Sequence, residues 1–289
     1  MELKDYLLKN YSKTTLSSNL YMIRQFADYT TNAETATYQD VLTYIAHLRK
    51  KNQHPKTIRN NLFAIKIYYR WLIGEGKRND HPCQDLYLQD QINRSIDVEN
   101  LYTKKQLEEF LETVKTKKQH MFLRDKTMVS LLVYQALTVL EISQLNVDDV
   151  NLDEGTIFIK GNIKNKSRSL NLQSSQIMLL HKYLQEGRVN LLKRKNKPLS
   201  ETALILSENG TRIQQHAISR QINYHRQQHG RMTPMKIRQS VIAHLLKSGN
   251  DLRVVQVFAG HRRAASTEEY KQTGLEELKN AINKYHPLQ

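Results

Sequence analysis

Apolar residues recur every three to four positions through most of the first 75 residues, the period of helices with one buried face. Leu3, Tyr6 and Leu7 share a face, and Ser12 precedes a second run through Leu16, Leu20, Ile23 and Phe26. Val41, Tyr44, Ile45 and Leu48 form a third stripe. Pro55 and Thr57 open a fourth, with Ile58, Leu62, Ile65, Tyr69 and Leu72 in step, and Gly74-Glu-Gly76 supplies its stop. Trp71 with Tyr68, Tyr69 and Leu72 reads as core rather than as a stacking platform. The other face of this helix carries Lys56, Arg59, Lys66 and Arg70. Residues 1–80 are therefore expected to form a small all-helical domain. From His81 to about Asn100 the periodicity fades behind Pro82, and residues 81–100 read as a linker.

The pattern resumes at Thr103, an N-cap with Gln106 three residues on, followed by Leu107, Phe110, Leu111 and Val114. Further helices are predicted from about Arg124 to Gln135 and over Glu141–Leu145. The period then shortens to two. Thr156–Ile159 and Ser169–Leu172, bounded by Gly155 and Gly161-Asn162, predict a small antiparallel sheet. Helices return over Gln176–Gln185, Gln214–Gln228, Lys236–Lys247 and Leu252–Phe258. The expectation is a mainly α chain of two domains, the second, 101–274, holding the sheet. A tail helix follows over 275–289, with Leu275, Leu278 and Ile282 at helical spacing.

Charge narrows the choice of partner. The formal net charge is +16, and most of the excess lies late: residues 1–100 hold 14 basic and 11 acidic residues, residues 101–289 hold 30 and 17. A basic run is ordinarily a solvated face, but an excess sustained over half a chain makes nucleic acid the first partner to consider. A lone cysteine, Cys83, excludes an internal disulfide framework and a cysteine-based zinc site, and it fits a reducing compartment. The N-terminus MELKDYLLKN is not a signal peptide, and no apolar run is long enough for a membrane span. A cytoplasmic, nucleoid-associated protein with no membrane partner is expected.

The stretch from Thr233 to Tyr270, TPMKIRQSVIAHLLKSGNDLRVVQVFAGHRRAASTEEY, carries the chemistry. Taken singly, Tyr270 is a surface tyrosine, Arg238 a salt-bridge partner and His261 a helix cap; their spacing changes that reading. Arg238 heads a helix ending in AHLLKSG, QVFAGH closes the next element, and Tyr270 follows His261 by nine residues. These features resemble the tyrosine recombinases, the phage-integrase family, with their H-x-x-R box, Q-x-x-L-G-H turn and tyrosine nucleophile. Upstream, KTIRNNLFAIKIYYRWLIGEGKRNDHPCQDL resembles the exit of the family's SAM-like core-binding domain. RDKTMVSLLVYQALTVLEISQLNVDDVNLDEGTIFIKG resembles its first catalytic box and the following strand. The match runs in order from about residue 12 to Tyr270.

The resemblance implies a two-domain clamp on double-stranded DNA that breaks and rejoins strands through a 3′-phosphotyrosine, for integration, excision or transposition of a mobile element. Tyr270 is then the nucleophile, Arg238 a phosphate clamp and His261 a hydrogen-bond donor to the phosphate. Lys164, in GNIKNKSR, is the strand-turn lysine, with Lys166 and Lys160 as alternatives. Lys56, Arg59, Lys66 and Arg70 are expected to face DNA. The resemblance implies no cofactor, and no acidic cluster reads as a two-metal site. A dimer on each site and a tetramer in synapsis are expected, with the tail helix exchanged between protomers.

Two positions depart from the family. Its first arginine lies in a G-L-R-x-S-E pattern, which aligns with Ala136-Leu137-Thr138-Val139-Leu140-Glu141, so Thr138 takes the arginine's place. Met235 stands where the box begins with His or Lys. Losing one transition-state donor costs roughly 2–4 kcal/mol, about a hundred- to a thousandfold in rate. A neighbouring cation is expected to compensate in part, with Arg262, Arg263, Lys236 and Arg168 as candidates, although Lys236 projects about 100° away from Met235 on a helix. The rival reading is a degenerate relative that occupies recombination sites without cutting. A type IB topoisomerase would share the chemistry, but the core-binding resemblance argues against it.

Overall fold

The computed structural model describes residues 1–91, 96, 100–116, 118–163, 165–194, 201–224 and 232–270. The chain divides into two compact units, Met1–Arg94 and Ser95–Gln289.

The first unit is built from four helices, α1 (Leu3–Asn10), α2 (Lys13–Tyr29), α3 (Tyr38–Lys50) and α4 (Pro55–Gly74). Their starts follow local chemistry. The Ser12 hydroxyl accepts the Thr15 N–H, Thr37 and Asp40 form a reciprocal capping box, and Pro55 begins α4 where its missing N–H costs nothing. The predicted apolar stripes meet in one core around Leu7, Phe26, Ile45, Ile65, Tyr69 and Leu72. Phe26 meets Tyr44 edge to face, with ring centroids 5.3 Å apart. Trp71 is buried, and its indole N–H donates to the Met1 carbonyl at 3.1 Å.

Part of the expected linker belongs to this unit. Cys83 and Leu86 are buried in its core, Lys66 donates to the Gln84 carbonyl at 2.8 Å, and Arg59 donates to the Asp90 carbonyl at 3.0 Å. The compact unit therefore runs past the boundary expected at residue 80. Cys83, Leu86 and the partly buried Leu88 dock there from a polar stretch, and their spacing carries no clear period.

The second unit begins with α5 (Lys104–Glu112), whose Thr103–Gln106 capping box is the one expected. α6 (Phe122–Gln135) is buried on nearly every side and packs against α5, against α8 (Ser174–Lys182) and against α11 (Pro234–Lys247). Between them come α7 (Val139–Gln144) and a three-stranded antiparallel sheet in the order β1 (Val150–Asn151), β2 (Thr156–Ile159), β3 (Arg168–Asn171). Ile157 pairs with Leu170 and Ile159 with Arg168, so Arg168 shares the buried face with three aliphatic side chains.

α8 does not stop near Gln185 as predicted. It continues through a π-helical turn, Tyr183–Arg188, into α9 (Val189–Arg194). A Cβ at Gly187 would lie 3.1 Å from the Leu123 Cβ, so glycine lets this helix run close against α6. α10 (Gln215–Tyr224), α12 (Leu252–Ala259) and α13 (Ala265–Glu268) complete the described elements. The predicted tail helix over 275–289 lies outside the described residues, as do residues 225–228 of the helix predicted before α11. Among the described residues no helix is long and apolar enough to cross a membrane.

Candidate active site

The site assembles where the end of α6, the β2–β3 turn and the end of α12 meet. α6 ends at Ala136, whose φ of 50° is left-handed, and the reversal sends Leu137 into the core and Thr138 to the start of α7. Thr138 and Glu141 then cap that helix reciprocally. The Thr138 Oγ1 accepts the Glu141 N–H, and Glu141 Oε2 accepts both the Thr138 N–H (2.8 Å) and its hydroxyl (3.0 Å). The other oxygen, Oε1, accepts from Asn165 Nδ2 at 3.1 Å and from Arg168 Nη1 at 2.7 Å. Glu141 thus ties the first turn of α7 to the β2–β3 turn and to β3.

Arg238, on the buried face of α11, reaches the same place. It donates to the Ala136 carbonyl at 2.5 Å and the Ala259 carbonyl at 2.6 Å, and its Nη1 lies 3.9 Å from Glu141 Oε2. It therefore bridges the ends of α6 and α12. α12 closes on Gly260 at φ 70°, and a Cβ there would stand 2.5 Å from Arg168 Nη1. Only glycine fits both the left-handed backbone and that neighbour. The Gly260 carbonyl accepts the Lys166 N–H at 2.8 Å, and Asn165 pairs with His261, so the helix end is stitched to the β2–β3 turn. The His261 ring bonds the Thr267 hydroxyl through Nδ1 at 2.9 Å. Tyr270, 7% exposed, stacks on that ring with centroids 6.2 Å apart and planes 21° apart.

Electrostatics follow from this geometry. Burial alone would push the Glu141 carboxyl up. The Arg168 hydrogen bond and charge, the Thr138 N–H and the Arg238 charge outweigh burial and hold it below its ordinary value. Burial lowers Arg238, against the pull of Glu141. Burial, with the Arg238 and Arg168 charges, pushes His261 down to about 4, so the imidazole is neutral at pH 7. Burial raises the Tyr270 phenol, with Arg238 opposing, so it is protonated at rest.

The phage integrase family model matches residues 100–276, and that for the phage integrase N-terminal SAM-like domain matches residues 3–76. The chain belongs to the phage integrase family, the tyrosine recombinases. The tyrosine recombinase XerC of Alcanivorax borkumensis is 27% identical over 260 residues, covering 88% of this chain and 81% of that protein. XerC of Bacillus subtilis is 27% identical over 287 residues, covering 96% and 92%. Among solved structures, the fold is shared with the XerH site-specific recombinase bound to palindromic difH substrate in a post-cleavage complex. The TM-score is 0.71 and the identity 19%, over 95% of this chain and 80% of that one. A lambda integrase dimer bound to a COC′ core site gives a TM-score of 0.67 at 13% identity, over 92% of each chain.

The recombinase thus gathers Arg238, His261 and Tyr270, singled out from the sequence, in one place within one chain. Lys164 lies outside the described residues. Lys160, just past β2, and Lys166, between β2 and β3, are exposed. Met235 is 63% exposed at the start of α11. The four candidate replacement cations separate. Lys236 holds its ammonium 4.5 Å over the Tyr102 ring, Arg262 donates to the Asn162 carbonyl at 2.8 Å, and Arg263 is exposed. Arg168 is in the site. In the first unit, Arg59 and Lys66 bind the chain after α4, while Lys56 and Arg70 are exposed, with no side-chain hydrogen bond or ion pair among the described residues. Sequence reasoning left Glu141 without a role. The Thr138-x-x-Glu141 spacing announces a capping box, but the second pair of bonds, to Asn165 and Arg168, is tertiary.

Proposed function

We propose that this recombinase cleaves double-stranded DNA at specific sites with Tyr270 and rejoins the ends to a partner strand, in integration, excision or transposition of a mobile element. The observation that carries the reading is Tyr270 stacked on neutral His261 beside buried Arg238, all within one chain. The Tyr270 oxygen attacks phosphorus, a tyrosine–phosphorus bond forms, and the bond from phosphorus to the 5′ oxygen breaks. The phenol proton leaves to solvent as the bond to phosphorus forms, while His261, neutral at pH 7, donates a ring N–H to a nonbridging oxygen. The departing 5′ oxygen takes up a proton from the strand-turn lysine, the role proposed for Lys164. Arg238 stabilises the charge that builds on the nonbridging oxygens. The bond energy is kept in the 3′-phosphotyrosine, so a hydroxyl from another strand reverses the step without metal or nucleotide.

DNA binding rests on the basic excess of the chain and on Lys56 and Arg70 of the first unit. The DNA-bound XerH and lambda integrase structures support the same partner. Strand exchange needs four cleavages, which calls for a dimer on each site and a tetramer in synapsis. A non-cutting site binder is the competing reading, favoured by Thr138 serving as a helix cap and by Met235 pointing outward.

Covalent capture decides between them. The protein is incubated with fragmented host DNA, denatured, and the DNA still attached is sequenced. Recovery of a shared sequence that is lost in Tyr270→Phe supports cleavage. Enrichment of a site only without denaturation, with no attached DNA, would show a binder.

A further inference from the structure

Arg168 is an arginine on the buried face of a strand, 5% exposed, opposite Ile159 and in line with Leu170. A cation there is costly unless its donors are met. Only one edge is: Nη1 donates to Glu141 Oε1 at 2.7 Å. Nε and Nη2 are sealed from solvent and have no hydrogen-bond partner among the described residues. Those two nitrogens form the side edge of the guanidinium, two parallel N–H bonds spaced to take both oxygens of a phosphate or carboxylate. A buried, paired arginine whose fork keeps two unpartnered donors is arranged to receive an anion.

Its surroundings say which anion. Gly260 admits the guanidinium by lacking a Cβ, and the residue after Gly260 is His261. The Arg168 charge depresses both His261 and Arg238, so the three groups share one electrostatic site. Position 138, where the family places its first arginine, meets the same carboxylate: the Thr138 hydroxyl lies 3.0 Å from Glu141 Oε2, and Arg168 Nη1 lies 2.7 Å from Oε1. Thr138 is spent on capping α7, and the guanidinium comes instead from the neighbouring strand. The other three candidates are engaged elsewhere or exposed.

We propose that Arg168 is the second phosphate-binding cation of this active site, supplying from β3 the guanidinium that position 138 lacks. Its Nε and Nη2 take the nonbridging oxygens of the scissile phosphate as Tyr270 attacks, while Glu141 holds Nη1. The assignment deepens the recombinase reading and rests on it.

The test uses the site recovered by covalent capture, placed in a nicked duplex, with the full-length protein. Two versions are compared: the natural phosphodiester and one whose scissile phosphate has a nonbridging oxygen replaced by methyl, which removes the charge a cation must meet. Arg168→Ala should form adduct on the phosphodiester about a hundred- to a thousandfold more slowly than wild type. On the neutral phosphonate the deficit should shrink to about tenfold or less. Arg168→Lys, which keeps the charge without the fork, should fall between, with melting temperatures confirming that each variant is folded.

Wild-type rates in Arg168→Ala would overturn the assignment. So would an equal loss on both substrates, the mark of a brace for Glu141 rather than a phosphate ligand. No adduct with wild type on either substrate would sink the recombinase reading itself, and this assignment with it.

Discussion

Glu141→Gln is the substitution that tests the site's construction most directly. It changes shape little and charge completely. The carboxylate is fully buried, and the side chains of Arg168 and Arg238 are 2% and 5% exposed. Its two oxygens accept four described hydrogen bonds, from the Thr138 N–H and hydroxyl, Asn165 and Arg168. In glutamine one oxygen keeps two of these, while the amide nitrogen faces donors with donors. Two guanidinium groups also lose their counter-charge. Removing one partner of a buried ion pair costs about 3–5 kcal/mol. For a unit of this size each kcal/mol moves the midpoint about 2–4 °C, so melting should fall by roughly 6–20 °C at pH 7.

A double-mutant cycle sharpens the claim. Arg168→Met removes one stranded cation, so Glu141→Gln with Arg168→Met should be less damaged than the two single changes summed, by roughly 1–3 kcal/mol. The pH dependence has a definite sign. The folded carboxyl lies below its unfolded value near 4.5, so its contribution is present above that pH and lost as pH falls below it. The gap between wild type and Glu141→Gln must therefore narrow in acid. Calorimetry at several pH values measures all of this. A variant melting within about 2 °C of wild type at pH 7, or strictly additive effects, would refute the view of Glu141 as the site's buried counter-ion.

Three other outcomes are expected. Gly260→Ala must strain a φ of 70° and bring a methyl to within 2.5 Å of Arg168 Nη1; it should cost at least about 1–2 kcal/mol and cut adduct formation more than it cuts DNA binding. Unimpaired cleavage would show that Arg168 is not held there. His261 falls from 6.5 to about 4 on folding, so it contributes stability above pH 6.5 that is lost as pH drops towards 4, at most about 3 kcal/mol. His81 is lowered too, in the other unit, so the comparison is with His261→Gln, whose denaturant stability should depend less on pH across that window. Lys56→Ala and Arg70→Ala should each reduce the salt slope of DNA affinity by about 1 without lowering the melting temperature, whereas Arg59→Ala and Lys66→Ala should lower both. Equal behaviour of the four would mean that the contacts of Arg59 and Lys66 with the following chain do not matter.

The helices were readable because period, cap and stop agreed, as at Pro55, the Ile58–Leu72 stripe and Gly74. What escaped lacked one of the three. β1 is two residues long, too short for alternation to show. The π-helical turn depends on how closely Gly187 lies against Leu123, a tertiary matter. Cys83 and Leu86 are buried, yet sit in a polar stretch. Arg168 is the instructive case. Reading the strand from Ser169 places Leu170 and Leu172 inside and leaves the arginine in a turn. Starting it one residue earlier puts Arg168 on the same face as both leucines. Alternation alone includes Arg168, but a charged residue ends such a pattern unless a buried partner meets it, and that partner, Glu141, lies on another element.

Under the role proposed for Arg168, that placement lets the site hold a threonine at position 138 and keep a second guanidinium beside the scissile phosphate. What a phosphodiester meets is a local sum of charge and a set of donor directions, not a chain position. Here two guanidinium groups share one carboxylate and neutral His261 adds nothing, so these four groups leave a single positive charge to face a singly negative phosphate, before the charge of the strand-turn lysine is added. An arginine added at the start of α7 would raise that sum while competing with Arg168 for Glu141. A threonine there instead caps the helix and leaves both Glu141 oxygens to be shared. The cation from β3 has its own requirement, a neighbour without a Cβ, and Gly260 meets it. The threonine and the buried arginine therefore meet on the two oxygens of one carboxylate, and the glycine, required in any case by its φ of 70°, leaves room for the guanidinium.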